Sequence, residues 1–200
     1  MAELLPLPEP RSRGPLSLEE ALGRRRSRRA FLEAPLTLSQ VAQLLWAAQG
    51  VTHPEGYRTA PSAGATYPLE LFLLADRVAG LAPGAYRYRP GAHALEAWHP
   101  GRLLPAVYQA ALRQDCLAQA AAVFVFAAEP ARTERRYGPM AGRYVWVEVG
   151  HAAQNLLLEA TALGIGAVPV GAFDEGELAA ALGLPPAWPP LYLVPVGRPR

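Results

Sequence analysis

The sequence predicts an α+β domain, a β-sheet flanked by helices, on three observations. Ala122-Val123-Phe124-Val125-Phe126-Ala127 is an unbroken apolar run, the pattern of a strand buried on both faces. Two capping boxes, Ser17 with Glu20 and Thr37 with Gln40, each precede an amphipathic run. Tyr144 to Leu163 has helical periodicity and is apolar over most of its circumference, so it needs cover on more than one side and reads as a core helix or a subunit interface. With 200 residues, 51% of them hydrophobic, the chain can bury such a core within one domain.

The elements follow in order. Residues 1–16 read as a Pro-rich N-terminal arm, aperiodic from Leu4 to Pro15 and lying over the surface or over a partner subunit; residues 17–200 read as a single domain. Ser17 opens a helix whose apolar face is Leu18, Ala21 and Leu22, and Thr37 opens another carrying Leu38, Val41, Leu44, Leu45 and Ala48 up to Gly50. A polar loop rich in Gly, Pro and Ser runs from Val51 to Pro68. Leu69 to Ala75 reads as a strand, and Ala85 to Arg89 with Ala94 to Trp98 as a hairpin around Pro90-Gly91. A helix from Leu103 to about Ala118 leads into the central strand at Ala122. On the long helix, Glu148, His151, Asn155 and Glu159 share one polar stripe. Asp174 and Glu177 cap a short helix closed by Gly183, and Leu191 to Val196 is the last strand.

Charge and composition exclude several classes. Nineteen basic against seventeen acidic residues give +2, too little to draw a nucleic acid or an anionic membrane by charge alone. No apolar run approaches the roughly 18 residues of a membrane span, and the start lacks the pattern of a signal peptide, so a soluble cytoplasmic protein is expected. The single cysteine, Cys116, excludes an internal disulfide and a cysteine metal cluster, the four histidines stand far apart, and no metal site is expected. Every basic residue is Arg and none is Lys, a codon-usage signature that weakens any inference from arginine to phosphate.

Five motifs come into question as carriers of chemistry. Arg25-Arg26-Ser27-Arg28-Arg29 matches a phosphate with guanidinium forks and a hydroxyl, and equally matches a solvated helix end. Pro61-Ser62-Ala63-Gly64-Ala65-Thr66-Tyr67-Pro68 is a small-residue loop suited to lie against a ligand. Gly164-Ile165-Gly166-Ala167-Val168-Pro169 is not a classical dinucleotide fingerprint, because it follows a helix and has proline where a third glycine belongs. Pro169-Val170-Gly171-Ala172-Phe173 would let backbone amides approach a flat ligand, and would also serve as a plain strand-to-helix turn. Glu148 and His151 have the spacing of half a di-iron pair, but the second half is missing; the stripe reads as hydrogen bonding in a packed helix.

In order and spacing these motifs, with Glu148-Val149-Gly150-His151-Ala152-Ala153-Gln154-Asn155-Leu156 and Pro195-Val196-Gly197, resemble the nitroreductase superfamily of FMN-dependent oxidoreductases over about Ser17 to Arg198. The branch resembled is that of the azoline dehydrogenases of ribosomal-peptide toxin biosynthesis. The resemblance implies a three-layer α/β/α fold with a central, mostly antiparallel sheet, and an interlocked homodimer with FMN at the interface. It implies that Arg25, Arg26, Ser27 and Arg198 or Arg200 hold the FMN phosphate and that Arg29 faces the N1 and C2 edge, where a cation raises the reduction potential. It further implies backbone donors at Val170, Gly171 and Ala172 for N5, Gln114 at the pyrimidine edge, and Pro61, Ser62 and Ala63 contributed by the other subunit. NADH or NADPH is the expected donor, with a small-molecule or peptide-derived substrate over the flavin face.

Two departures stand out. Azoline dehydrogenases use a Lys-Tyr pair to take a proton, and the matching dipeptide here is Arg136-Tyr137; arginine stays protonated, which leaves Tyr137 as the catalytic candidate. Gly171 is followed by Ala172, and the Glu that many nitroreductases carry before the N5 glycine is absent. The alternatives are a flavin-binding protein with little or no turnover and an arginine-rich nucleic-acid binder. Against the latter, Phe31 is the only aromatic near the arginines and reads as core.

Overall fold

The computed structural model describes residues 4–200. Its elements are β1 (Leu4–Pro6), α1 (Leu18–Arg24), β2 (Leu36–Thr37), α2 (Leu38–Gln49), β3 (Leu69–Ala75), β4 (Val78–Ala79), β5 (Gly84–Arg89), β6 (Ala94–Pro100), α3 (Leu104–Ala110), α4 (Asp115–Ala118), β7 (Ala122–Ala128), α5 (Ala131–Tyr137), α6 (Ala141–Ala162), β8 (Gly166–Ala167), α7 (Glu175–Leu182) and β9 (Pro190–Gly197). Seven strands form one sheet in the order β1-β6-β5-β3-β7-β9-β8, with every neighbouring pair antiparallel. β2 and β4 form a separate parallel pair.

β7 lies inside the sheet between β3 and β9, and all seven of its residues are buried. Its side chains alternate, as strand geometry requires. Phe124 and Phe126 point into a core built with Val41, Leu44 and Leu45 of α2 and Val149, Leu156 and Ala160 of α6. Val123, Val125 and Ala127 point into a second core with Val107 of α3, Leu117 of α4 and Leu178 of α7. Helices therefore cover both faces, giving the α/β/α layering.

Both capping boxes form. Ser17 Oγ accepts from Glu20 N–H at 3.1 Å while the Glu20 carboxylate accepts from Ser17 N–H at 3.0 Å; the Thr37 and Gln40 pair repeats this at 3.2 and 2.9 Å. Ala21 is buried, but Leu18 and Leu22 of the expected apolar face stay 62% and 52% exposed.

The structure corrects the sequence in three places. The helix expected from Leu103 to Ala118 is two short helices, because Leu112 and Arg113 both take left-handed φ values of 56° and 55° and end α3. Leu4–Pro6 of the arm is an edge strand paired with Glu96, Leu95 and Ala94. α5 lies where no element was expected: only Thr133 of its seven residues is buried, so it has no apolar stripe to read.

Candidate functional site

The site begins with a packing event. Phe31 is fully buried, and a Cβ on Gly197 would come within 2.9 Å of its side chain; one on Gly166 would come within 3.0 Å. These two glycines let the ring seat against the sheet. Around it the backbone pairs: Leu32 N–H donates to Arg198 C=O at 2.9 Å, Arg200 N–H to Ala30 C=O at 3.2 Å, and Arg28 N–H to Ala167 C=O at 2.9 Å. Arg25–Arg29, remote in sequence from Arg198 and Arg200, is thereby fixed beside them. Arg26, Arg28, Arg29, Arg198 and Arg200 are exposed, and Arg25 and Ser27 partly so. Among the described residues none of these arginines makes an ion pair; Arg26 folds back onto the carbonyls of Gly23 and Arg25.

A cavity of about 420 Å³ adjoins this segment, lined by Arg29, Ala30, Gln114, Asp115, Cys116 and Gln119. The break between α3 and α4 places Gln114 there. Its Nε2 donates to Ala111 C=O at 3.0 Å and to Ala172 C=O at 2.9 Å, leaving Oε1 to accept from a ligand. Gln114 thus ties the wall of this cavity, which it shares with Arg29, to Ala172. Val170 N–H is already committed to Leu193 C=O at 2.8 Å, which removes it as a donor to a ligand. Gly171 and Ala172 are exposed, and among the described residues their N–H groups have no acceptor. Cys116 is buried and its thiol pushed up by that burial, so it is an apolar wall rather than a nucleophile.

The remaining predicted residues form a second group. Ser62 Oγ accepts from Tyr67 N–H at 2.9 Å, shaping the loop that carries Pro61, Ser62 and Ala63. Gly64, at φ 57°, has Tyr137 Oη and Arg136 Nε within 2.8 Å of where a Cβ would lie, so α5 closes directly onto the loop. Arg136 Nη1 donates to Gly64 C=O at 3.0 Å, and the Tyr137 ring meets Tyr144 edge-on at 4.9 Å. Among the described residues no hydrogen bond or ion pair joins this group to the first.

Sequence reasoning read Glu148 only as part of a hydrogen-bonded polar stripe, and the structure departs from that. Glu148 is 3% exposed on α6, with Oε1 unpartnered; burial pushes its carboxyl up to about 7, against the pull of the Ser62 hydroxyl, Arg58 and the Ala63 backbone. Nothing in the stripe distinguished it from His151, which is exposed, or Asn155, whose Nδ2 donates to Thr59 C=O at 3.1 Å. The signal is tertiary, set by where the 58–64 loop crosses the helix. Among the described residues no group of His, Cys, Asp and Glu could hold a metal ion, and no helix is long and apolar enough to cross a membrane.

Comparison with known proteins places this architecture. A protein of Methanocaldococcus jannaschii that carries a nitroreductase name is 44% identical over 183 residues, covering 92% of this chain and 91% of its own. The crystal structure of a nitroreductase-named protein from Ralstonia eutropha JMP134 superposes with a TM-score of 0.86 at 29% identity, covering 98% of this chain and 90% of that one. A nitroreductase-named protein from Desulfovibrio desulfuricans, crystallised in complex with FMN, shares the fold at a TM-score of 0.68 and 19% identity, over 91% of this chain and 86% of that one. The sequence profile of the nitroreductase family matches residues 22–198. That span takes in both the arginine segment and the C-terminal strand it packs on, and it makes this chain an oxidoreductase of the nitroreductase family.

Proposed function

We propose that the chain is an FMN-dependent oxidoreductase that works as a homodimer, takes electrons from NADH or NADPH and passes hydride to a small organic or peptide-derived acceptor. The observation that carries this is the first group: Arg29 and Gln114 line one cavity, Gln114 is tied to Ala172 beside two unused backbone N–H groups, and the remaining arginines of the segment, with Arg198 and Arg200 packed beside it, make no ion pair among the described residues. FMN presents complementary features, a phosphate dianion at one end and a flat ring with acceptors along its edge. Arg25, Arg26, Ser27 and Arg198 would hold the phosphate, as charge-assisted hydrogen bonds favour. Arg29 and Gln114 would meet the pyrimidine edge, and the N–H groups of Gly171 and Ala172 the N5 side. FMN, when bound, supplies the hydride chemistry; the protein supplies position and electrostatics.

Exposed apolar residues support the dimer. Leu18 and Leu22 of α1, with Trp146 and Val147 of α6, are all about half exposed, and α1 packs on α6. Covering these exposed apolar side chains would remove them from water. Pro61, Ser62 and Ala63, separate from the cavity of their own chain, would reach the partner's flavin.

Arg136 argues against azoline oxidation as the reaction. It cannot accept a proton, and it is engaged with Gly64 as a clamp on the loop. Tyr137, beside it, can still donate a hydrogen bond to a substrate or pass it a proton. The visible spectrum of the purified protein tests the reading. Flavin absorption, with FMN released at about one per chain, is expected. Arg25→Ala should weaken FMN binding by about 10- to 100-fold in a fluorescence titration, the worth of one charge-assisted phosphate contact. A colourless protein that takes up no added FMN would overturn it.

A further inference from the structure

A second cavity, of about 360 Å³, lies between the β5–β6 hairpin and the C-terminal end of α2, away from the arginine segment just described. Arg58, Arg87, Arg89 and Arg132 line it, and among the described residues the only carboxylate in its wall is Glu70. Glu70 is 5% exposed and engaged at both oxygens, by Arg87 Nε at 2.7 Å through Oε2 and by Arg132 Nη2 through Oε1. Arg132 also reaches Glu129 at 2.6 Å, and Arg89 reaches Glu96 at 3.6 Å. Three of the four guanidiniums therefore have carboxylate partners.

Arg58 does not. Among the described residues no carboxylate lies within ion-pair distance of it; it stacks on Tyr67 at 4.3 Å, and its Nη1 donates to Gln49 Oε1 at 2.7 Å. Burial acts against its charge, and Glu148, Tyr67 and Glu70 support it only from longer range. Gln49 is 1% exposed, and among the described residues its Nε2 has no acceptor. A buried amide donor without an acceptor and a half-buried cation without a counter-ion are both costly. Here they are joined to each other at the wall of one cavity. The negative end of α2 accounts for one nearby cation, but not for a donor left over.

What would satisfy both groups is an acceptor-only anion. We propose that this cavity binds a small oxyanion, a phosphate or carboxylate group of a small molecule, through Arg58, the Gln49 amide and the Arg89 guanidinium at its rim. Planar forks and a fixed amide suit either group, and the volume admits more than a bare ion.

Equilibrium dialysis of the flavin-loaded protein against radiolabelled inorganic phosphate, and in parallel against radiolabelled acetate, tests this. Saturable uptake near one per chain is expected for at least one probe; phosphate alone indicates a phosphate-bearing ligand, acetate alone a carboxylate. Arg58→Gln should weaken uptake about tenfold or more. Arg89→Gln, at a half-exposed position where folding is not at stake, should weaken it severalfold. Uptake of neither probe, or uptake equal to wild type in both Arg58→Gln and Arg89→Gln, would overturn the proposal.

Discussion

The two groups of arginines in this chain are built in opposite ways. Arg25–Arg29 lies on the surface without an ion pair among the described residues, and its position is set by the backbone pairing around Phe31. Arg87 and Arg132 grip the buried Glu70 carboxylate, and their position is set by that grip. In a chain that uses no lysine, the number of arginines says nothing about function. What separates the groups is whether a rigid frame has left the guanidinium without a carboxylate. The first group can meet an anionic ligand without breaking anything; the second is structural, with Arg58 as its exception.

Phe31→Ala attacks the frame of the first group and should have the largest effect. Removing a fully buried aromatic ring costs about 3–5 kcal/mol, and here it would also free the segment beside Gly166 and Gly197. Urea unfolding should show that loss, with weakened FMN binding in the protein that remains folded. A loss below about 1 kcal/mol would mean that the ring does not anchor the segment. Glu70→Ala attacks the second group. It leaves Arg87, whose side chain is 16% exposed, facing Arg132 without the carboxylate between them, and should cost about 3 kcal/mol. FMN affinity should barely change, since Glu70 touches only the structural arginines. A variant that loses flavin while keeping its stability would collapse the distinction between the groups.

Glu148→Gln sharpens the comparison through pH. A carboxyl raised from the ordinary 4.5 to about 7 holds its proton in the folded state where the unfolded chain has released it. Wild-type stability is therefore fully present below about pH 4.5, falls as pH rises towards about 7, and is flat above. The total loss is on the order of 3 kcal/mol. The glutamine variant lacks that slope, so thermal unfolding should show it close to wild type at pH 4 and more stable at pH 8. Identical pH profiles would show that the carboxylate is solvated or paired above pH 7.

The sheet was legible because β7 and β9 advertise themselves by apolar runs and α1, α2 and α7 by their caps. Those are local signals. The break at Leu112–Arg113 was not legible, because neither residue type announces a left-handed conformation. α5 was hidden by its polarity, yet it holds the Pro61–Tyr67 loop through Arg132 and Arg136. In the candidate site, Arg29 and Gln114 line one cavity and Gln114 bonds Ala172, a proximity that no local pattern in the sequence encodes. The loss of Val170 as a donor could not be foreseen, because it depends on which strand lies opposite. That Glu148 and Gln49 each hold an unpartnered buried atom was hidden for a related reason: an unsatisfied buried group is a property of its neighbours.

Arg29→Ala should have the smallest effect and bears most directly on chemistry. Arg29 lines the cavity with Gln114, and its charge is felt at the Cys116 thiol, which it draws downward against burial. A cation there favours the negative charge that reduced flavin develops at N1 and the C2 carbonyl, so its removal should lower the reduction potential by tens of millivolts while most of the flavin stays bound. The effect is small because the side chain is exposed and water screens it. Arg29→Lys should restore most of the potential, since the charge matters more than the fork. Raising the ionic strength should shrink the gap between wild type and Arg29→Ala, as a coulombic effect at an exposed position requires. A potential unchanged in Arg29→Ala would separate this arginine from the flavin edge and leave the first group with a phosphate-binding role alone.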